Sequence, residues 1–167
     1  KAQLGSISAL GIGSFGPIEL NRQASDYGCI KKTPKPGWSG TDLVGFFSQK
    51  LNVPVAFDTD VNAAALGEHT QGVAKGCRDF VYVTVGTGIG AGVMSGGNLV
   101  QGVTHLEVGH ILIPRHAQDA NAVSNCPFHD NCLEGLASGA SLNLRAPGAV
   151  SELPLDDAIW VSEIYYL

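Results

Sequence analysis

Phe80-Val81-Tyr82-Val83-Thr84-Val85 is the strongest strand signal in the sequence, and it runs straight into Gly86-Thr87-Gly88-Ile89-Gly90-Ala91-Gly92. A β-rich run that ends in G-x-G-x-G sheds its side chains where the chain turns, so the backbone can approach a neighbour or a ligand closely. The stretch matches neither common nucleotide loop. A dinucleotide-binding loop opens a helix, whereas strand-like sequence follows here. A Walker loop needs a Gly-Lys-Ser/Thr that the motif lacks. Two readings stay open: a turn whose backbone N–H groups and Thr87 hydroxyl face a phosphate, or simply a tight hairpin.

The segments around this motif alternate in period, which predicts an α/β fold. Residues 5–12 read as an apolar strand running into the turn Gly13-Ser14-Phe15-Gly16-Pro17, and residues 20–40 as a long Pro/Gly-punctuated loop. Asp42 is placed to cap a helix reaching about Leu51, with Leu43, Val44, Phe46, Phe47 and Leu51 inward. Val53–Phe57 reads as a short strand and 61–69 as an alanine-rich helix. Val93–Val100 reads as a hairpin about Gly96-Gly97, Ile111–Ile113 as a last strand, and a helix is expected near Leu133. The segment 158–167 shows a broad apolar face at helical spacing, formed by Ile159, Trp160, Val161, Ile164 and Leu167. It stops without a cap, and the chain begins at Lys1 without Met, so both ends are expected to be cuts within a longer protein.

With 44% hydrophobic residues and only 15% charged, the 167-residue chain builds a core and is not disordered. A net charge of −5, with no basic cluster beyond Lys31-Lys32, argues against nucleic acid or an anionic membrane as partner. No apolar run approaches the roughly 20 residues of a membrane span.

Cys29 and Cys77 stand alone and read as small buried hydrophobes. Cys126 and Cys132 bracket His129 in an evenly spaced C-x2-H-x2-C, a pattern that points to metal rather than a disulfide where no secretion signal precedes it. Zinc takes four N/S ligands in closed structural sites. His110, in Glu107-Val108-Gly109-His110, is one candidate for the fourth, with His105 and His116 as competitors, while His69 reads as a surface histidine. Asp60 sits where a strand gives way to a helix. It is placed either to take a proton from a substrate hydroxyl or, with Asp58, to cap that helix.

Taken in order, Asp60 followed by Asn62-Ala-Ala-Ala-Leu-Gly-Glu68, the Gly86–Gly92 run, Glu107-x-Gly-His110, and Cys132-x-Glu-Gly-x-x-Ser-Gly139 resemble the ROK family of bacterial sugar kinases and sugar-responsive repressors. Gly13–Pro17, Thr33-Pro34-Lys35-Pro36-Gly37-Trp38 and Cys-Pro-x-His-x-x-Cys look most like the fructokinase branch. The likeness covers roughly residues 8–140. It implies the actin/hexokinase-like (ribonuclease-H-like) fold, two α/β lobes with sugar and ATP in the cleft between them. Residues 1–72 would be the rest of the small lobe, and 73–167 the start of the large lobe, with a zinc loop at 114–132.

The resemblance further implies that Asp60 is the base deprotonating the sugar hydroxyl, and that Gly86, Thr87, Gly88 and Gly90 face the ATP phosphates. Thr59, where the family usually has Asn, would contact sugar together with Asp60, Glu107, His110 and Glu134. His110, Cys126, His129 and Cys132 would hold a structural Zn2+, and Mg2+ would accompany ATP. A cytoplasmic homodimer that phosphorylates fructose to fructose 6-phosphate is the implied protein. Glucokinase or mannokinase activity, the sugar-sensing part of a ROK repressor, and a zinc-stabilised module without chemistry are the alternatives. A first-strand phosphate loop and an adenosine-binding segment, both expected of the family, are not found in the 167 residues, so this chain alone is expected to show little turnover.

Overall fold

Two short strands with apolar alternate residues, β1 (Leu10–Ser14) and β2 (Val55–Thr59), pair in parallel, with Leu10 opposite Val55 and Ser14 opposite Thr59. Parallel strands need a crossover, and here it carries a helix, α1 (Leu43–Leu51), started by the Asp42 carboxylate accepting the Gly45 N–H. The computed structural model describes residues 5–102, 104–146 and 148–167. They divide into two compact units: residues up to Tyr82 with Gly92–Leu106, and Val83–Ala91 with Glu107–Leu167.

The first unit is built around Ile18, Ile30 and Phe57, with Ile12, Phe15, Leu20, Tyr27, Leu43 and Val44 packed against them. Residues 20–40 form no regular element, as expected, yet they are not a loose loop. Backbone bonds Glu19 N to Cys29 O and Ile30 N to Thr41 O fold the segment on itself, and Ile18 and Ile30 are fully buried. Gly28, at φ +87°, lies where a Cβ would come within 2.3 Å of Val44, which is why the chain can pass so close to α1. Only part of the expected inward face of α1 faces inward: Phe46 is 54% exposed, edge-on to Phe47, and Leu51 is also exposed. The second helix of this unit, α2 (Asp60–Gln71), follows β2 directly. Its His69, expected at the surface, stacks on Phe80.

A three-stranded sheet of order β3 (Phe80–Val85), β4 (Ile89–Ser95) and β5 (Asn98–Leu99) links the sequence of the two units. The hairpin at Gly96-Gly97 forms as expected, with φ of +59° and +85° at the two glycines, the pattern of a type I′ turn. Strand β4 starts at Ile89, so the glycine turn is shorter than the sequence suggests. Gly90 and Gly92 lie inside the strand, and Gly92 is there for packing: a Cβ would meet the Val61 carbonyl oxygen at 2.4 Å. The strand expected at Ile111–Ile113 reduces to a single bridge, Leu112 to Cys132. Cys77 is exposed rather than buried.

The second unit packs Ile89, Leu136, Ala137 and Tyr166 at its centre, joining β4 to two helices, α3 (Leu133–Ala137) and α5 (Ile159–Tyr166), with α4 (Gly139–Arg145) between them in the sequence. Helix α5 does not use its apolar stripe as anticipated. Ser162, Glu163 and Tyr166 are buried, while Val161, Ile164 and Leu167 are exposed. The cause is Arg145 on α4, which draws that polar face inward. Its guanidinium binds Glu163 at 3.1 Å, Ser162 Oγ at 3.1 Å, Asp119 at 2.5 Å and the Leu136 carbonyl at 2.7 Å.

Burial pushes the Glu163 carboxyl up to about 7, against the pull of Arg145. A carboxyl raised above its ordinary value of 4.5 contributes fully to stability below that value and loses the contribution as pH rises through about 7. We therefore expect urea midpoints to fall across this window, and Glu163→Gln to flatten the fall. A variant with the wild-type slope would contradict the assignment.

Candidate active site and metal centre

His110, Cys126, His129 and Cys132 converge in the second unit, their ligand atoms all within 4.8 Å of one another. Each is fixed by its own local structure. His110 ends a one-turn 3-10 helix, Val108–His110, closed by its N–H to the Glu107 carbonyl at 2.9 Å. Cys132 is the N-cap of α3, its sulfur accepting the Gly135 N–H at 3.3 Å. Cys126 accepts the Phe128 N–H at 3.4 Å. The segment carrying His110 is laced to the segment carrying Cys132 by the Ile113 N to Asn131 O and Leu133 N to Ile111 O bonds, both 2.9 Å.

The spacings suit a tetrahedral ion. His110 Nδ1 lies 3.7 Å from both sulfurs, and His129 Nδ1 lies 3.6 Å from Cys126 Sγ. Zn–S near 2.3 Å and Zn–N near 2.05 Å at tetrahedral angles put nitrogen and sulfur about 3.6 Å apart. Burial pushes the Cys132 thiol up, and the nearby Cys126 sulfur adds to this, so a cation here would bind by displacing thiol protons. Of the competing histidines, His116 caps the turn at Ala117–Asp119 and packs on Tyr165, and His105 lies in the first unit close to Gly16.

The other ring nitrogen of His110 faces Glu134, Nε2 to Oε1 at 4.0 Å. The second oxygen of Glu134 accepts the Ile89 N–H at 2.8 Å, just past the glycine turn. That turn, Gly86-Thr87-Gly88, is closed by the Gly86 N–H to the Gly88 carbonyl at 2.9 Å and held at its other side by the Gly139 N–H on the Gly86 carbonyl at 2.7 Å. Gly86 and Thr87 are exposed. The turn is packed so closely that a Cβ on Gly88 would sit 2.5 Å from Glu134 Oε2, and one on Gly139 would sit 2.8 Å from the Gly86 carbonyl oxygen. Glu107 is exposed at the start of the His110 turn.

Thr59 and Asp60 belong to the first unit, at the junction of β2 and α2. Neither aspartate caps the helix. The buried Thr59 hydroxyl accepts the Asn62 N–H at 3.1 Å, and Asp58 is taken up by the Thr59 N–H at 2.7 Å and the Asn62 amide at 2.8 Å. Asp60 is thereby relieved of the capping position and stands exposed on the first turn of α2, where Oδ1 accepts the Val61 N–H at 2.9 Å and Oδ2 is left to solvent.

The sequence reading missed Gly109 and Gly135 as site residues. A Cβ on Gly109 would lie 2.1 Å from the Ile89 carbonyl oxygen, and one on Gly135 2.1 Å from Ser124 Oγ and 3.0 Å from Cys126 Cβ. Their position directly beside a metal ligand or Glu134 was the available signal. Nothing in the sequence marked Ser124, whose hydroxyl bonds the His129 carbonyl at 2.7 Å and accepts the Cys126 N–H.

Among solved structures, the chain superposes on a ROK family glucokinase from Streptomyces griseus, in complex with glucose and AMPPNP, with TM-score 0.61 and 31% identity over 82% of this chain and 41% of that one. The ROK family profile matches residues 1–161, and the chain belongs to that family. Within it, the chain is 46% identical to a fructokinase from Pediococcus pentosaceus over 92% of its own length and 53% of the relative's, and 44% identical to one from Lactococcus lactis subsp. cremoris over 96% and 54%. The chain spans about half the length of the curated relatives it matches.

Proposed function

We propose that the protein carrying this sequence transfers the γ-phosphoryl group of ATP to a hexose, with fructose giving fructose 6-phosphate. The observation that carries this reading is likeness to fructokinases across more than nine-tenths of the chain, a stretch that includes an exposed Asp60 relieved of capping by Thr59. Phosphoryl transfer asks a protein for position and electrostatics more than for covalent chemistry. In this reading Asp60 accepts the proton of the attacking sugar hydroxyl, and Thr59, which still has its hydroxyl hydrogen to give, contacts the same sugar. Glu107, His110 and Glu134 contact sugar as well. The N–H groups and hydroxyl of Gly86, Thr87 and Gly88, with Gly90 at the start of the following strand, face the phosphates. Mg2+ accompanies ATP and offsets phosphate charge.

His110, Cys126, His129 and Cys132 are the residues that would hold zinc, with all four positions filled and none left for a substrate. Such an ion supplies cross-linking, not chemistry: it fastens the loop from which His110 and Glu134 project. We assign residues 1–72 to the small lobe and 73–167 to the large lobe of a cytoplasmic homodimer. Among the described residues no helix is long and apolar enough to cross a membrane.

In a coupled assay with ATP and fructose on the protein that carries this sequence, Asp60→Asn is expected to lower kcat by about 10²–10⁴-fold while fructose still binds. A near-normal kcat would remove Asp60 from the chemistry, and fructose binding without turnover in the wild type would favour a sugar sensor. Elemental analysis is expected to find one zinc per chain, lost in Cys126→Ser. Sub-stoichiometric zinc that this substitution leaves unchanged would refute the metal centre.

A further inference from the structure

Between His110 and Cys126 the chain makes a long excursion, residues 111–125, before the ligand-bearing segment 126–132 begins. Regular structure does little to hold it. Among the described residues it contains only the 3-10 turn Ala117–Asp119 and the Leu112–Cys132 bridge. The partly buried Arg115 sits inside this excursion and reaches both its returning arm and the ligand-bearing segment that follows. Nη1 donates to the Ala122 carbonyl at 2.6 Å and to the Asp119 carbonyl at 3.4 Å, and Nη2 donates to the Asp130 carbonyl between His129 and Cys132. The Ala122 and Asp130 carbonyls lie on segments that also meet through the Ser124 hydroxyl on the His129 carbonyl, while the first arm of the excursion is tied to the same loop by the Ile113 N–H on the Asn131 carbonyl and the Asn131 side-chain amide on the Ile113 carbonyl. The far side of the excursion is moored separately, by the Asp119 carboxylate on Arg145 and on the Tyr166 hydroxyl.

From this we infer that Arg115 is the positioning residue of the metal loop: its guanidinium fork spans the arm leading to Cys126 and the segment bearing His129, and so sets how firmly the ion is kept. The inference rests on the metal reading proposed above. A planar fork is required, because only its divergent N–H groups can hold carbonyls on two arms at once; a lysine ammonium keeps the charge but is a point donor. Groups that orient metal ligands from outside typically carry 10–100-fold in metal affinity. Arg115 touches no ligand atom, so its contribution runs through backbone placement alone.

The test is the rate at which the zinc-loaded chain surrenders its metal to a chromophoric chelator, which needs no enzyme turnover. Arg115→Ala and Arg115→Lys are expected to release zinc about 10–100-fold faster than wild type. Asp42→Ala, which removes a helix cap in the other unit, is expected to release it at the wild-type rate. Should Arg115→Ala fail to fold, Arg115→Lys decides. A lysine variant that keeps zinc as wild type does would overturn the role of the fork, since charge and packing would then suffice. A wild-type chain that binds no zinc would overturn the metal centre itself, and this role with it.

Discussion

The Ile89 N–H donates to Glu134 Oε2 across 2.8 Å, and the second unit is organised around that bond. Glu134 sits on the first turn of α3, between Cys132 and Gly135, so one turn of helix carries a metal-loop cysteine, the acceptor for the strand after the glycine turn, and the glycine that lets the metal loop pack down. A buried amide without a partner would cost about 1–3 kcal/mol, and a carboxylate acceptor roughly doubles the strength of the bond it makes. The other oxygen of Glu134 faces His110 at 4.0 Å. In this way the loop that brings Cys126, His129 and Cys132 to His110 and a turn made of glycines share one carboxylate. Where a metal is bound, a carboxylate that hydrogen-bonds the other ring nitrogen fixes the orientation of the imidazole, and Glu134 is the carboxylate nearest to that nitrogen here.

The first unit solves a simpler problem. The start of a helix tends to recruit any nearby acid as a cap, and the proposed base role of Asp60 needs a carboxylate kept out of that duty. Thr59 takes the cap and Asp58 takes the Asn62 side chain, which leaves Asp60 to solvent. The same junction brings β1 so near α2 that a Cβ on Gly13 would lie 2.7 Å from Ala63 Cβ. Small residues on both elements make that approach possible, which accounts for the alanine-rich composition of α2.

Much of this was legible in the sequence, for physical reasons that differ from element to element. Strand β3 and the turn at Gly96-Gly97 announce themselves through local propensity, and the Cys126-x2-His129-x2-Cys132 spacing through ligand chemistry. Strands β1 and β2 each begin a few residues later than periodicity suggested, because their limits are set by pairing with each other and not by their own sequence. The burial of Ile18 and Ile30 was hidden because Pro and Gly mark a segment as irregular and say nothing about what it covers. The buried face of α5 ran against hydrophobic pattern, since a guanidinium on another helix outweighs the stripe of Ile and Val. Thr59 as cap and Glu134 as the partner of Ile89 depended on tertiary neighbours that no local motif encodes.

The proposed function assigns phosphate recognition to Gly86–Gly88 and sugar recognition to Thr59, Asp60, Glu107, His110 and Glu134. Backbone amide shifts of the protein carrying this sequence, titrated separately with fructose and with a non-hydrolysable ATP analogue, test that division most directly. The account predicts that the analogue moves the amides of Gly86, Thr87 and Gly88, and that fructose moves those of Asp60, His110 and Glu134. Saturating ligands that leave these amides in place and move others would contradict it.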